Sequence, residues 1–228
     1  RITVRLSDVT TGFQLWSARY ERGIEDIFTI QDEIARNITE VLEVRHAPCK
    51  CNYTQSIDAY DYYLQGWTYF HRVGPKNMAM ARHLFSRAIE LDPSFAKAWA
   101  GLADGYGYDY LYYNPSPENL QEANRASQKA LELAPELAEA HTSRALALSL
   151  SGEFAAAEAE FEAAIRINPN LFEAHYLYAR TCFHEGRLER AAELFERASS
   201  LRPLDYQSLI LLSRVLEGLG QAELSLDA

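Results

Sequence analysis

The stretch HAPCKC places His46, Cys49 and Cys51 within reach of one another, and thiolate–imidazole sets of this kind hold zinc. A structural zinc site needs further ligands, and no second Cys or His pair follows at finger spacing, so these residues read as linker thiols in a reducing cytoplasm. His141 and His175 recur at one interval inside amphipathic helices, which makes them packed, hydrogen-bonded rings rather than general bases. Glu158, Glu160 and Glu162 alternate along a helix and read as solvated. GYGYDY has too few glycines for a phosphate cradle and follows no strand. Walker, GxSxG and HExxH patterns are absent. The chain is therefore expected to be no enzyme and to take neither cofactor nor metal. Its net charge of −10 opposes nucleic acid and anionic lipid, and no apolar run is long enough to cross a bilayer.

The residues that recur do so on a period. Pro169 and Pro203, Gly152 and Gly186, Phe161 and Phe195, Ala157 and Ala191, Ala164 and Ala198, and Ala145 and Ala179 are each separated by 34 positions. Such a repeat marks stacked supersecondary units. Each unit reads as two helices, the first in AEAHTSRALALSLS and the second in EFAAAEAEFEAAIRI, parted by Gly152. Phe154, Ala157, Phe161 and Ala164 put one apolar stripe on the second helix, alanines letting backbones approach and Phe161 filling the space between them. Pro169 stops that helix, because it lacks an N–H and disfavours helix just before it.

These positions resemble the tetratricopeptide repeat (TPR), whose first helix carries a bulky residue, Leu, a small residue and an aromatic, as in Trp99, Leu102, Ala103 and Tyr106 of AWAGLADGY. The resemblance implies a mainly α chain, a right-handed superhelix of full units 59–95, 96–137, 138–171 and 172–205 and a partial unit 206–228. Extra residues at VGPKN are expected to lengthen the inter-helix turn of the first unit. Those at YDYLYYNPSPEN should extend a first helix into a proline-bearing loop.

In such an array the first helices line a concave face. The resemblance puts there Tyr60, Tyr63, Trp67 and His71; Lys97, Asp104 and Tyr108; Tyr176, Arg180, Phe183 and His184; and Ile210 and Arg214. It implies a protein or peptide partner, with aromatic and arginine anchors. His184 is expected to face the groove near Arg180, whereas Tyr62, Trp99 and Tyr106 belong to the core. The carboxylate clamp that grips chaperone tails is absent, since Tyr63, Trp67, Ala100 and Asp104 occupy its positions. The N-terminal segment is a rival occupant of the groove.

Residues 1–45 differ. ITVRLSD and FQLWSARY alternate as half-buried strands around the turn VTTG, and IFTIQDEIARNITEVLEV follows with helical spacing. A lone hairpin is marginal in water, so it must pack on this helix or on another molecule, and its open edge invites a homodimer. The segment resembles the closing strands and helix of the TolB-like α/β domain of bacterial signalling proteins. That resemblance implies a piece of a longer protein, with a class III adenylate/guanylate cyclase or a winged-helix activator domain ahead of it. Residues 46–58 read as the linker to the array 59–228.

Overall fold

The structure, a computed structural model, describes residues 2–7, 14–21, 29–31, 33–34, 37–38, 54–72 and 74–220. It separates into two compact units, Arg1–Tyr53 and Thr54–Ala228.

In the first unit, strands β1 (Ile2–Ser7) and β2 (Gln14–Tyr20) pair antiparallel, with Ile2 opposite Tyr20, Val4 opposite Ala18 and Leu6 opposite Trp16. A register shift lies between Leu6 and Ser7. Strand alternation sends Thr3, Arg5, Ser17 and Arg19 to solvent and Val4, Leu6, Trp16, Ala18 and Tyr20 to the other face. The expected helix is present at residues 29–31, 33–34 and 37–38. It covers the hairpin: Ile30 and Tyr20 are buried, and Asn37 Nδ2 donates to the Tyr20 hydroxyl at 3.4 Å. The turn VTTG, the rest of this helix and the HAPCKC thiols lie outside the described residues.

The second unit is a right-handed stack of antiparallel helix pairs, with nine helices among its described residues: α1 (Ile57–Phe70), α2 (Pro75–Leu91), α3 (Ala96–Tyr112), α4 (Pro117–Leu133), α5 (Ala138–Leu150), α6 (Phe154–Ile167), α7 (Phe172–His184), α8 (Leu188–Leu201) and α9 (Tyr206–Gly218). Ser56, Ser116 and Asp205 cap α1, α4 and α9 by accepting the N–H of Ala59, Asn119 and Ser208, donors a helix start would otherwise leave unpaired. The second helix expected for the fifth unit lies outside the described residues.

The period is built from three recurring devices. Gly152, Gly186 and Gly220 all adopt positive φ, between 73° and 80°, at the turn after a first helix, a conformation that L side chains resist. After each second helix a turn closes on a main-chain bond of about 3 Å: Phe95 to Asp92, Leu137 to Ala134, Leu171 to Asn168, and Asp205 to Arg202. Across these turns a ring reaches back to the proline carbonyl. Trp99 Nε1 donates to Pro93 O at 2.9 Å, and His141 and His175 place Nε2 at 2.8 and 3.0 Å from Pro135 O and Pro169 O. The two histidines are hydrogen-bonded, packed rings, as expected, and the structure shows that they staple each turn.

Phe85, Phe161 and Phe195 are fully buried between helices lined with alanine, and Tyr178 stacks on Phe161 at 5.3 Å. Unit 96–137 departs, with Ser127 in the phenylalanine position. Its hydroxyl bonds to Asn124 O, and Ala100, Ala130 and Ala140 pack nearby as a cluster of small side chains. Phe85 lies against Gly66 and Gly101, where a Cβ would come within 2.6 and 2.8 Å of its ring.

Two expectations need correction. The extra residues at VGPKN enter α2, which begins at Pro75 and runs 17 residues against 14 in α6; the turn before it gains little. Proline at a helix start is already shaped for the first turn, so the helix begins there. Glu158 and Glu160 are half-buried and paired, not merely solvated. Glu158 accepts from the Tyr178 hydroxyl and from Arg187 at 3.1 Å, and Glu160 lies 2.5 Å from His141 Nδ1. Glu158 meets Tyr178 of the next first helix and Glu160 meets His141 of the first helix in its own unit, pairings that no single helix reveals. The extension of α3 to Tyr112 and the loop bearing Pro115 match expectation.

Candidate functional site

First helices of the first, second, fourth and fifth repeats converge on a cleft of about 440 Å³ within Thr54–Ala228. Trp67 and Phe70 come from α1, Asp104, Tyr108 and Tyr112 from α3, Phe172, Glu173 and Tyr176 from α7, and Tyr206 and Gln207 from α9. Arg202 and Asp205 enter from the turn before α9. The rings form a continuous wall: Trp67 meets Phe70 edge-on at 4.9 Å, Phe70 meets Tyr108 at 4.9 Å, and Tyr108 meets Tyr112 at 5.8 Å. Phe172 stacks on Tyr176 at 5.5 Å. Gly105 and Gly107 let α3 approach its neighbours closely; a Cβ at Gly107 would sit 2.9 Å from Leu146.

The charged groups here are mostly paired. Arg202 donates to Glu173 at 2.6 Å and lies 4.2 Å from the Phe172 ring centroid. Arg180 donates to the Tyr112 and Tyr176 hydroxyls and sits over both rings. Burial holds the His71 imidazole below its usual pKa, and it stacks on Trp67 at 5.5 Å. Asp104 is the exception. Its Oδ1 is shut from solvent and has no hydrogen-bond partner among the described residues, although the side chain as a whole is only half-buried. Desolvation raises its carboxyl to about 8, against an opposing pull from the Ser143 hydroxyl, while Glu173 and Glu139 push it further up. Tyr108 and Tyr112 are also pushed up by burial, so both phenols are neutral donors.

Of the residues expected on the concave face, Trp67, His71, Asp104, Tyr108 and Tyr176 line this cleft. Arg180 is not itself a lining residue but sits against two that are, Tyr112 and Tyr176, and the others lie elsewhere. Tyr63 packs against Phe95 at 5.0 Å and Phe85 at 6.0 Å, in the core, with Tyr60 stacked beside it. Lys97 reaches Glu139 at 3.4 Å. Phe183 packs on the core of the later units. His184 is exposed and sits 5.8 Å from Phe154, because the last turn of α7 carries it toward the start of α6 instead of into the cleft. Ile210 and Arg214 are exposed outside the cleft.

Sequence reasoning missed several lining residues. Glu173 and Gln207 hold the same place in their first helices as Tyr60 and Lys97 do in theirs, so the register itself could have found them. Tyr112 belongs to the extension of α3, and Arg202, Asp205 and Tyr206 to a junction between units, where the repeat register offers no guide.

Models of the tetratricopeptide repeat match residues 118–172 and 148–210. Residues 118–210 are tetratricopeptide repeats. The TPR fold is an interaction scaffold and not a catalytic one. A structure of PilF from Pseudomonas aeruginosa superposes with a TM-score of 0.56 at 19% identity, over 75% of this chain and 74% of that one. The human IFIT1 dimer with m7Gppp-AAAA gives 0.60 at 20% identity, over 87% of this chain and 45% of that one. At these identities the likeness concerns the TPR fold alone. A Rhizobium meliloti (strain 1021) protein named "Putative adenylate cyclase 3" is 32% identical over 156 residues, which are 65% of this chain and 27% of that protein. The chain thus spans about a quarter of the curated relative it matches. Among the described residues no helix is long and apolar enough to cross a membrane.

Proposed function

We propose that the TPR array binds an extended segment or a helix of a partner protein along its concave face. The observation that carries this reading is the aromatic cleft assembled from α1, α3, α7 and α9, with Trp67, Tyr108, Tyr176 and Tyr206 at its wall. Rigid repeats hold those rings in place before binding, so little side-chain entropy is lost on association. Aromatic anchors in a preformed groove are the usual source of such affinity. A nucleic-acid ligand is disfavoured, because the chain carries a net charge of −10 and Arg202 and Arg180 are already engaged.

The test is selection of peptides from a random display library on the immobilised chain. Ligands are expected that lose binding on Trp67→Ala and on Tyr206→Ala, the latter an exposed side chain whose loss spares the core. Failure to select any ligand, or ligands indifferent to both variants, would remove the reading.

The parent is proposed to be a bacterial regulatory protein, with this chain its regulatory portion and the hairpin unit the end of a TolB-like domain. The match to a named cyclase favours a nucleotide cyclase over a winged-helix activator. Cyclase assays on the parent protein, with and without a selected groove peptide, decide this: unchanged turnover counts against coupling. The open edge of the hairpin is proposed to pair two copies, and a monomer at all concentrations in sedimentation excludes that.

A further inference from the structure

Resting on the groove reading, we propose that the cleft contains a subsite for an arginine side chain of the bound partner, held by the Asp104 carboxylate and the rings of Trp67, Tyr108 and Tyr176.

Helix α3 carries two carboxylates that face its neighbours, Asp104 and Asp109. Asp109 is buried and paired: Arg82 donates to its Oδ2 at 2.5 Å, Asn119 donates to the same oxygen at 2.9 Å, and the guanidinium lies 4.8 Å from the Tyr106 centroid. A sequestered carboxylate thus receives an arginine that also stacks on a tyrosine. Asp104 lines the cleft together with Trp67, Tyr108 and Tyr176 but lacks the cation. Its Oδ1 is sequestered with no partner among the described residues. Of the arginines nearby, Arg202 is committed to Glu173 and Arg180 to Tyr112 and Tyr176, while Arg72, which also lines the cleft, is exposed and lies over the Tyr69 ring at 5.1 Å. The acidic groups acting on it, Glu139 and Glu173, and the negative chain as a whole favour an incoming cation.

Arginine fits better than lysine. Its guanidinium is flat, weakly hydrated and able to stack on rings while donating to a carboxylate. The chain uses that arrangement repeatedly, with Arg125 over Trp99 at 5.4 Å and Arg190 over Tyr178 at 5.5 Å. A phosphate would instead meet the carboxylates of Asp104, Glu173 and Asp205. Burial favours the protonated form of Asp104 at neutral pH, so an arriving guanidinium displaces that proton to solvent.

The experiment titrates the full chain with N-acetyl-arginine methylamide and, separately, with the citrulline analogue, which has the same shape without the charge. Calorimetry is run in buffers of different ionisation enthalpy. Saturable arginine binding is expected, with proton release and with citrulline at least about tenfold weaker, as for loss of a desolvated charge pair. The preference and the proton release should both vanish in Asp104→Asn. Equal affinities, absence of arginine binding, or a preference that survives in Asp104→Asn would overturn the proposal. The arginine–citrulline comparison on the unaltered chain decides the matter even if the variant fails to fold. Selected peptides that lack arginine yet depend on Trp67 would leave the groove reading standing and remove this one.

Discussion

Replacing Asp104 by Asn should stabilise the protein, and by an amount that depends on pH. The carboxyl titrates near 8 in the folded chain against 3.8 when free, because its Oδ1 is cut off from water. A raised acid pKa contributes fully below the unfolded value, and the contribution is lost as pH rises toward the folded value. Between these values the folded state must hold a proton that the unfolded chain releases, at about 1.4 kcal/mol for each pH unit. From 3.8 to neutral pH is about three units, so the ceiling is about 4 kcal/mol. Asp104 is half-buried as a whole, and solvent in the cleft lowers that figure to roughly 2 kcal/mol. For an array of this size the gain raises Tm by roughly 4–8 °C. Urea unfolding followed by far-ultraviolet circular dichroism, repeated between about pH 4 and about pH 8, measures the difference between variant and parent. It should be near zero at the acid end and grow with pH. A variant no more stable than the parent at neutral pH, or a difference that does not change with pH, would refute the claim that this carboxyl is desolvated with its Oδ1 unpartnered.

Gly101→Ala should destabilise by roughly 1–3 kcal/mol despite alanine's better helix propensity, because its Cβ would lie 2.8 Å from the buried Phe85 ring; thermal unfolding checks the sign. Phe161→Ala should cost about 3–5 kcal/mol in urea, and Phe154→Ala, at a half-buried site, clearly less. His175 has a lowered pKa from burial, so its contribution is present above about pH 6.5 and declines as pH falls below that value. An imidazole NMR titration should therefore show it charging at lower pH than a free histidine, and titration at the ordinary value would contradict its role as a buried staple.

The sequence by itself determined the repeat. Phe161, Ala157, Ala164, Pro169 and Gly152 act within one unit, through helix periodicity, backbone freedom and helix termination, so their spacing carries their meaning without reference to distant residues. The interval shared by His141 and His175 likewise pointed to packed rings, since each reaches only six residues back. The cleft was only partly legible. Trp67, His71, Asp104, Tyr108 and Tyr176 follow from the inward register, but Tyr112 meets Arg180 across 68 residues, through an extension of α3 outside that register. Tertiary structure alone decided that Tyr60 and Tyr63 are core, that Glu158 and Glu160 are paired, and that Asp104 keeps an unpartnered Oδ1. Each outcome depends on which neighbouring helix arrives with a ring, a cation or nothing. Burial and partnership belong to the stacked array, where solvent is excluded, and not to any residue's place along the chain.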